Sequence, residues 1–214
     1  MRPEPAGRSA PTSSDVAVAP TEEVRLDVWI TRTDEIREPT LLASYVELLS
    51  PHERARLAGF TSRAARHQYL VTRALIRTSL SRYDRVDPRC WELTANSHGR
   101  PELAPGQSRL DLRFNASHTV GISAVVVTTG RRVGIDVEMH QLAMPVLVLA
   151  DRFLARAEAD DVAAQPPAQR LDRYFRYWTL RESYTKAHGI GMAMPASAFS
   201  FAIEDEAIRL RTTS

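Results

Sequence analysis

The sequence predicts an α+β fold built from two similar halves. Three observations carry this prediction: apolar residues at helical spacing, shorter alternating or β-branched runs, and an order of strands and helices that recurs once along the chain. We expect the halves to be fused as a pseudo-dimer that meets across a central cleft. Their residues are not visibly alike, so identity does not support the repeat.

Composition limits the possible classes of protein. The 214 residues and net charge of +2 suit one domain or two small halves, and give no argument for nucleic acid. The single cysteine, Cys90, excludes an intramolecular disulfide and favours a reducing, cytoplasmic setting. No run is long and apolar enough to predict a membrane span. Residues 1–21 are rich in Pro, Ala and Ser, and we expect a disordered tail there.

The N-terminal half, residues 22–119, begins with a strand. Residues 24–30 alternate apolar and polar side chains, and residues 40–49 have the spacing of a helix. Ser50-Pro51-His52-Glu53 is a capping box that predicts a second short helix. Thr61 or Ser62 then caps a helix that runs to about residue 81. Residues 91–94 predict a short strand, followed by a turn over residues 96–101.

Arginines recur on one face of the long helix in this half. Arg63, Arg66, Arg73 and Arg77 fall near one another, away from the apolar positions. A solvated basic face is the commoner explanation of such a pattern. The alternative is an anion site, because guanidinium groups match the geometry of phosphate.

The C-terminal half, residues 120–214, begins with two predicted strands. Residues 121–127 are apolar and β-branched, and residues 132–138 are expected to pair with them as a hairpin. Alternation along a strand places Asp136 and Glu138 on the same face. Two neighbouring carboxylates are tolerated when they are solvated or when a cation lies between them.

The rest of this half is predicted to be helical and then to close with a hairpin. We expect one helix over residues 146–161 and another over residues 170–188, which Gly189 ends as a C-cap. Residues 199–203 and 207–211 predict the closing hairpin around Glu204 and Asp205.

The helix at residues 170–188 carries charge along a line that begins as core. Phe175 and Trp178 set an apolar stripe, and the same line continues to Glu182 and Lys186, the only lysine of the chain. An exposed ion pair at this spacing contributes only about 0.2–0.5 kcal/mol and is common. The carboxylates of the preceding strands favour a functional interpretation instead.

Three carboxylates, Asp136, Glu138 and Glu182, are then available to one site. A hard oxygen set suits Mg²⁺, which keeps waters and binds substrate phosphates, whereas Zn²⁺ would need a Cys/His cluster. Lys186 is placed to contact phosphate oxygens. His118, expected on a turn, is either a phosphate donor or a loop histidine that bonds the neighbouring backbone.

Several motifs together resemble the 4′-phosphopantetheinyl transferases, in particular the longer, surfactin-synthetase-activating type. The matching stretches are TRALIR at 72–77, HGRP at 98–101, FNASHT at 114–119, VGIDVE at 133–138 and WTLRESYTKAHG at 178–189. Each motif is weak alone, and their order along the chain makes the resemblance specific.

The resemblance implies an activity and an architecture. Such enzymes transfer the phosphopantetheine arm of coenzyme A to a serine of an acyl or peptidyl carrier protein, and release adenosine 3′,5′-bisphosphate. The longer type is similar to two small α+β units fused in one chain, with the active site at their interface. A monomer is therefore expected. The resemblance does not indicate whether the carrier serves fatty acids, polyketides or non-ribosomal peptides.

Roles for individual residues follow from the same resemblance. Asp136, Glu138 and Glu182 become the Mg²⁺ ligands, and Glu182 is also the favoured base for the serine hydroxyl. Lys186 would hold the diphosphate and stabilise the leaving phosphate. The remaining residues expected to bind the coenzyme are Arg63, Arg66, Arg73, Arg100, Ser117, His118 and Asp136.

One residue departs from the family pattern, and two other functions stay open. Arg181 stands where the family usually has Lys, and the two side chains are not equivalent at phosphate contacts. A non-catalytic module that binds coenzyme A or carrier proteins would keep the same fold. A Mg²⁺-dependent hydrolase of phosphoanhydrides would use the same carboxylates without an acceptor protein.

Overall fold

The computed structural model describes residues 25–204 and 207–212. The expected tail at residues 1–21 and Asp205 of the closing turn lie outside the described residues. No helix in the described part is long and apolar enough to cross a lipid bilayer. The elements are β1 (Asp27–Arg32), α1 (Pro39–Leu48), α2 (Pro51–Ala58), α3 (Arg63–Leu80), β2 (Leu93–Ala95), β3 (Pro101–Leu103), β4 (Leu112–Thr119), β5 (Ile122–Thr129), α4 (Val146–Phe153), α5 (Arg156–Ala164), α6 (Arg170–His188), β6 (Phe199–Ile203) and β7 (Ile208–Thr212).

A three-stranded antiparallel sheet forms the centre of the N-terminal half. Its strand order is β1-β5-β4, with Trp29 opposite Val125 and Phe114 opposite Val127. Helix α3 packs against one face, and the core between them includes the fully buried Trp91 and Leu80. Burial of aromatic and aliphatic side chains of this size is the main stabilising contribution.

Side-chain caps set where the first helices begin. The predicted capping box of α2 is confirmed: Ser50 Oγ accepts the Glu53 N–H at 3.2 Å, and a Glu53 carboxylate oxygen accepts the Ser50 N–H at 3.0 Å. Ser62 caps α3 by accepting the Ala65 N–H. These bonds satisfy amide groups that a helix start leaves without partners.

The C-terminal half packs α4 and α5 against the long helix α6 and the hairpin β6–β7. Its core includes Val162, Tyr174, Phe175 and Tyr177. The predicted bounds of α6 are confirmed, and Gly189 ends it with a φ of 74°, a left-handed conformation that glycine adopts without strain. The predicted closing hairpin is also confirmed.

The single helix expected over residues 146–161 is wrong, because the chain breaks into α4 and α5. Leu154 and Ala155 are extended between them. The Glu158 carboxylate accepts the Ala155 N–H at 2.8 Å, which starts a new helix at Arg156. A glutamate three positions after the start of a helix is a stabilising cap, and its signal is easily hidden within a run of helix-forming residues.

The strand expected over residues 132–138 is also wrong. Strand β5 pairs with β4 on one edge and with β1 on the other, so neither edge is open to residues 132–138. The expected turn at His118 is also wrong, because this residue lies on strand β4. Strands β4 and β5 form a hairpin across the boundary expected between residues 119 and 120, which places both in the sheet with β1.

Candidate active site

Helix α6 is fixed by the aromatic side chains of its first turns. Tyr174, Phe175 and Tyr177 are buried, and Trp178 packs beside them. One turn beyond Trp178 the same helix carries Glu182, and a further turn carries Lys186. The apolar residues therefore determine which way the two charged side chains face.

The segment at residues 133–138 lies directly on this helix. A Cβ added to Gly134 would be 1.9 Å from the Ser183 carbonyl oxygen and 2.6 Å from the Ala187 backbone nitrogen. Only glycine permits so close an approach between the two backbones. The contact brings Asp136 against Lys186, with Oδ1 2.5 Å from Nζ.

Side chains of β4 hold this segment in place of a strand ladder. Asn115 Oδ1 accepts the Ile135 N–H at 3.0 Å, and Ser117 Oγ accepts the Val137 N–H at 3.4 Å. Asn115 and Ser117 alternate with core residues along β4, so both face the segment. Asn115 was not predicted as a site residue, although its position within the FNASHT motif was a usable signal.

Lys186, Ser117 and Asp136 form a compact cluster that is buried except at Lys186, whose side chain is 27% exposed. The Lys186 ammonium donates to Ser117 Oγ at 3.0 Å and to Asp136 Oδ1, and the Ser117 hydroxyl donates to the same Oδ1 at 2.9 Å. The Asp136 side chain is only 2% exposed. Its second oxygen, Oδ2, is buried and has no hydrogen-bond partner among the described residues. An unpaired buried carboxylate oxygen is costly, so this atom marks a place for a cation or a donor.

The other two predicted metal ligands flank this cluster. Glu138 is exposed, and its Oε1 accepts the Trp178 indole N–H at 3.2 Å. Burial raises the pKa of Glu182 above its usual range, the nearby Lys186 charge lowers it, and the charges of Asp136 and Glu138 raise it. The charges of the other two carboxylates therefore reach Glu182.

The fit of this site to Mg²⁺ rests on its donor atoms. In the part of the chain that the structure describes, no three His, Cys, Asp or Glu side chains are gathered closely enough to form a complete metal site. The oxygen donors and the unpartnered Oδ2 of Asp136 nevertheless suit a hard cation. Mg²⁺ normally keeps several waters and takes substrate oxygens, so it does not need a closed cage of protein ligands.

His118 lies one residue beyond the cluster on β4. Loss of solvent around the ring, and then the charge of Lys186, lower the pKa of His118. The neutral imidazole is thereby favoured near neutral pH, and it retains one N–H that can donate to a phosphate oxygen.

The arginines expected at coenzyme phosphates have different surroundings. Arg63 and Arg66 are exposed at the start of α3, whereas Arg73 lies 3.8 Å from Glu53 and over the ring of Tyr69. Among the described residues, none of the three arginines forms a hydrogen bond or ion pair with the carboxylates of the site. Their assignment to the coenzyme stays a prediction.

Arg77 does not belong to a solvated basic face, which corrects that interpretation of the pattern. Its side chain is fully buried and donates twice to Glu53 Oε2, at 2.9 and 2.6 Å. Arg100 is also occupied. Its terminal nitrogens donate to the carbonyl oxygens of Lys186, Ala187, Phe114 and Val133.

Family models match both halves of the chain. The model described as 4′-phosphopantetheinyl transferase, N-terminal, matches residues 37–130, and that of the 4′-phosphopantetheinyl transferase superfamily matches residues 132–212. The chain belongs to the 4′-phosphopantetheinyl transferase superfamily.

Individual relatives are similar over part of their length. The 4′-phosphopantetheinyl transferase HetI of Nostoc sp. is 32% identical over 145 residues, which cover 68% of this chain and 61% of the relative. The 4′-phosphopantetheinyl transferase Sfp of Bacillus subtilis is 25% identical over 163 residues, covering 76% and 70%. A solved holo-(acyl-carrier-protein) synthase from Bacillus anthracis gives a TM-score of 0.41 at 16% identity, over 49% of this chain and 93% of that chain. The matches thus span between three fifths and seven tenths of the two curated relatives.

Proposed function

We propose that this chain transfers the 4′-phosphopantetheine arm of coenzyme A to a serine of an acyl or peptidyl carrier protein. The observation that carries the proposal is the buried Lys186–Ser117–Asp136 cluster with its unpartnered Asp136 Oδ2, next to Glu182. A cation donor and an unfilled carboxylate oxygen side by side suit a bound diphosphate and its counterion.

Asp136, Glu138 and Glu182 are the residues that would hold Mg²⁺. When bound, the ion would neutralise the charge of the coenzyme's diphosphate. Two of the three ammonium hydrogens of Lys186 are used by Ser117 and Asp136, which leaves one for a phosphate oxygen. Ser117 and His118 are proposed to contact the same phosphates.

The transfer forms one bond and breaks one. The carrier serine oxygen attacks the phosphorus attached to the pantetheine arm, and the bond from that phosphorus to the oxygen of the nucleotide phosphate breaks. Glu182, directly or through a water, takes the serine proton, for which a carboxylate of raised pKa is well suited. Lys186 stabilises the negative charge on the departing adenosine 3′,5′-bisphosphate.

We infer that the two halves are structural repeats fused in one chain, with the site between them. Each half contains two short helices, a long helix, a 3₁₀ turn and a hairpin, in that order. Ser117 belongs to the sheet of the first half, while Asp136, Glu182 and Lys186 follow it in the second. Because one chain supplies both sides, we propose that it acts as a monomer, which light scattering after gel filtration would test.

Intact-mass spectrometry tests the proposed reaction. Apo-carrier proteins of several kinds are incubated with the chain, coenzyme A and Mg²⁺, beside an EDTA sample, Glu182→Gln, and Glu92→Gln as a control at an exposed glutamate. We expect a mass gain of one phosphopantetheine that disappears with EDTA and Glu182→Gln and persists in the control.

Other results would select the other functions. Coenzyme A binding without a mass gain on any carrier would favour a binding module. Cleavage of the diphosphate without an acceptor would favour a hydrolase. A gain that persists at full rate in Glu182→Gln would keep the reaction and refute the role of this base.

A further inference from the structure

The turn at residues 96–100 is held rigidly by its first side chain. Asn96 Oδ1 accepts the N–H groups of His98 at 2.9 Å and Arg100 at 3.0 Å. Gly99 supplies the left-handed conformation that the turn requires, with a φ of 80°. The turn therefore fixes the direction in which the Arg100 side chain leaves the backbone.

From this turn, Arg100 reaches three separate segments that build the site. One terminal nitrogen donates to the carbonyl oxygens of Lys186 at 2.6 Å and Ala187 at 2.9 Å, at the end of α6. The other donates to Phe114 of β4 at 3.2 Å and to Val133 at 3.1 Å. The three segments carry Lys186, Ser117 and Asp136, respectively, which form the buried cluster.

The same turn also caps helix α6. Helix ends leave carbonyl groups without partners and carry partial negative charge, which a guanidinium satisfies on both counts. Asn96 Nδ2 adds a bond to the Gly189 carbonyl at 3.0 Å. A Cβ at Gly189 would lie 2.9 Å from that nitrogen, so the turn lies directly against the helix end.

Arg100 has no accessible donor left for a phosphate. Its two terminal nitrogens carry four hydrogens, and four carbonyl oxygens accept them. The remaining donor, Nε, is buried and has no partner among the described residues. Contact between either terminal nitrogen and a coenzyme phosphate would thus require bonds within the protein to break.

We propose that Arg100 is a positioning residue that sets Lys186, Ser117 and Asp136 relative to one another, and that it does not bind the coenzyme. The inference rests on the proposed transferase function. It assigns Arg100 a role different from the phosphate contact that the family resemblance implies. Its loss should lower kcat by about 10²-fold, because displacements near 1 Å can have that effect, while the KM for coenzyme A changes little.

Steady-state kinetics of Arg100→Ala and Arg100→Lys test the proposal, with Arg131→Ala as a control at an exposed arginine. We expect both Arg100 variants to lose kcat, because a single ammonium cannot bridge four carbonyls in three segments. Free guanidinium chloride at low concentration should partly restore the kcat of Arg100→Ala. The control should stay within about twofold, as surface substitutions usually do.

Opposite kinetics would overturn the proposal. A KM increase with kcat retained, and recovery by Arg100→Lys, would identify Arg100 as a phosphate contact. Unchanged kinetics in Arg100→Ala would remove it from the site altogether. If Arg100→Ala does not fold, Asn96→Ala, which loosens the turn, must show the same loss of kcat at constant KM.

Hydrogen exchange separates this inference from the proposed function. If the wild-type chain modifies no carrier protein, the transferase proposal fails on its own. The positioning role is still tested, because amides at residues 133–137 and 185–190 should exchange faster in Arg100→Ala than in the wild type. Equal exchange rates there would refute the role independently of any activity.

Discussion

Each half of the molecule is built around a buried arginine–glutamate pair. In the N-terminal half, Glu53 lies in the first turn of α2 and caps it, and Arg77 reaches it from α3. Arg77 also donates to the carbonyls of Pro88 and Trp91, which begin and follow a 3₁₀ turn at Pro88–Cys90. One side chain thus joins a short helix, a long helix and the segment after it.

The C-terminal half repeats this arrangement with one hydrogen bond fewer between arginine and glutamate. Glu158 lies in the first turn of α5, and Arg181 reaches it from α6 at 2.8 Å. Arg181 also donates to the carbonyls of Ala196 and Phe199, which begin and follow a 3₁₀ turn at Ala196–Ala198. Each arginine–glutamate pair, with the carbonyls that its arginine contacts, is called the frame of its half. Arg181, which departs from the lysine that the family resemblance implies, belongs to this frame, and its hydrogen bonds among the described residues go to Glu158, Ala196 and Phe199.

The two halves differ in the residues that follow the buried arginine in sequence. In α6 the residues one and five positions after Arg181 are Glu182 and Lys186. The corresponding residues of the first half are Thr78, in α3, and Arg82, just beyond its end. The shared frame is thus followed by the proposed catalytic residues only in the second half. Fold and chemistry are separable here, as they are in many proteins whose sites are set on a common scaffold.

A second correspondence relates two aspartates. Asp27 lies in a Leu-Asp-Val stretch and accepts the Tyr83 hydroxyl at 2.5 Å, just after the end of α3. Asp136 lies in an Ile-Asp-Val stretch and accepts the Lys186 ammonium near the end of α6. In the first contact the donor is an uncharged phenol, whereas in the second it is an ammonium group.

Breaking either buried pair gives the largest expected effect. Arg77→Met and Arg181→Met should each lower the free energy of unfolding by about 3–5 kcal/mol, because a charged glutamate is left buried without its partner. Urea unfolding followed by circular dichroism measures this, with Arg209→Met in an exposed pair as the control. Should either variant lose no more than the control, the shared frame would be disproved.

The second largest effect is expected from replacing the corresponding cations near the ends of the long helices. Lys186→Gln should slow transfer by about 10²–10³-fold, since it removes a donor to the leaving phosphate. Arg82→Gln should leave the rate within about threefold, as Arg82 only lies over the Trp29 ring. Single-turnover intact-mass measurements compare the two variants. Equal losses would contradict the proposal that only the second long helix supplies the cation that acts on the leaving phosphate.

A glycine in each half gives a smaller effect. Gly134→Ala should cost about 1–3 kcal/mol and reduce activity, because its Cβ would overlap the Ser183 carbonyl. Gly59→Ala should change stability by no more than about 0.5 kcal/mol, since its nearest contact would be an ordinary 3.5 Å. Thermal unfolding and the transfer rate test both, and a fully active Gly134→Ala would refute the close packing.

The smallest effect is expected from Arg→Lys changes within the frame. Arg181→Lys keeps the charge and loses hydrogen bonds to carbonyls, so it should cost about 1–2 kcal/mol with transfer largely retained. Arg77→Lys should cost more, because Arg77 donates four bonds and Arg181 three. Chemical denaturation measures the loss of unfolding free energy in each variant. A larger loss in Arg181→Lys than in Arg77→Lys would contradict the link between the number of bonds and the stability.

The sequence predicted the elements whose signals are local. The capping box of α2, the bounds of α6 and the β6–β7 hairpin depend on caps, period and turn residues within a few positions of one another. The break at Leu154 and Ala155 was missed because helix propensity continues across it and only Glu158 marks it. The hairpin expected for residues 132–138 failed because strand pairing depends on which edges the rest of the sheet leaves open.

By itself the sequence determined which groups are candidates for the chemistry, namely the three carboxylates and Lys186. It also determined the order of the motifs that carry them. Residue chemistry and spacing along the chain are enough for that. Tertiary structure alone decided which arginines are available, since Arg77, Arg100 and Arg181 look alike in sequence yet all three are bound internally. A guanidinium whose hydrogens are already accepted within the protein is not free for phosphate. The acceptors here are glutamate carboxylates and backbone carbonyls that lie well away from each arginine in sequence.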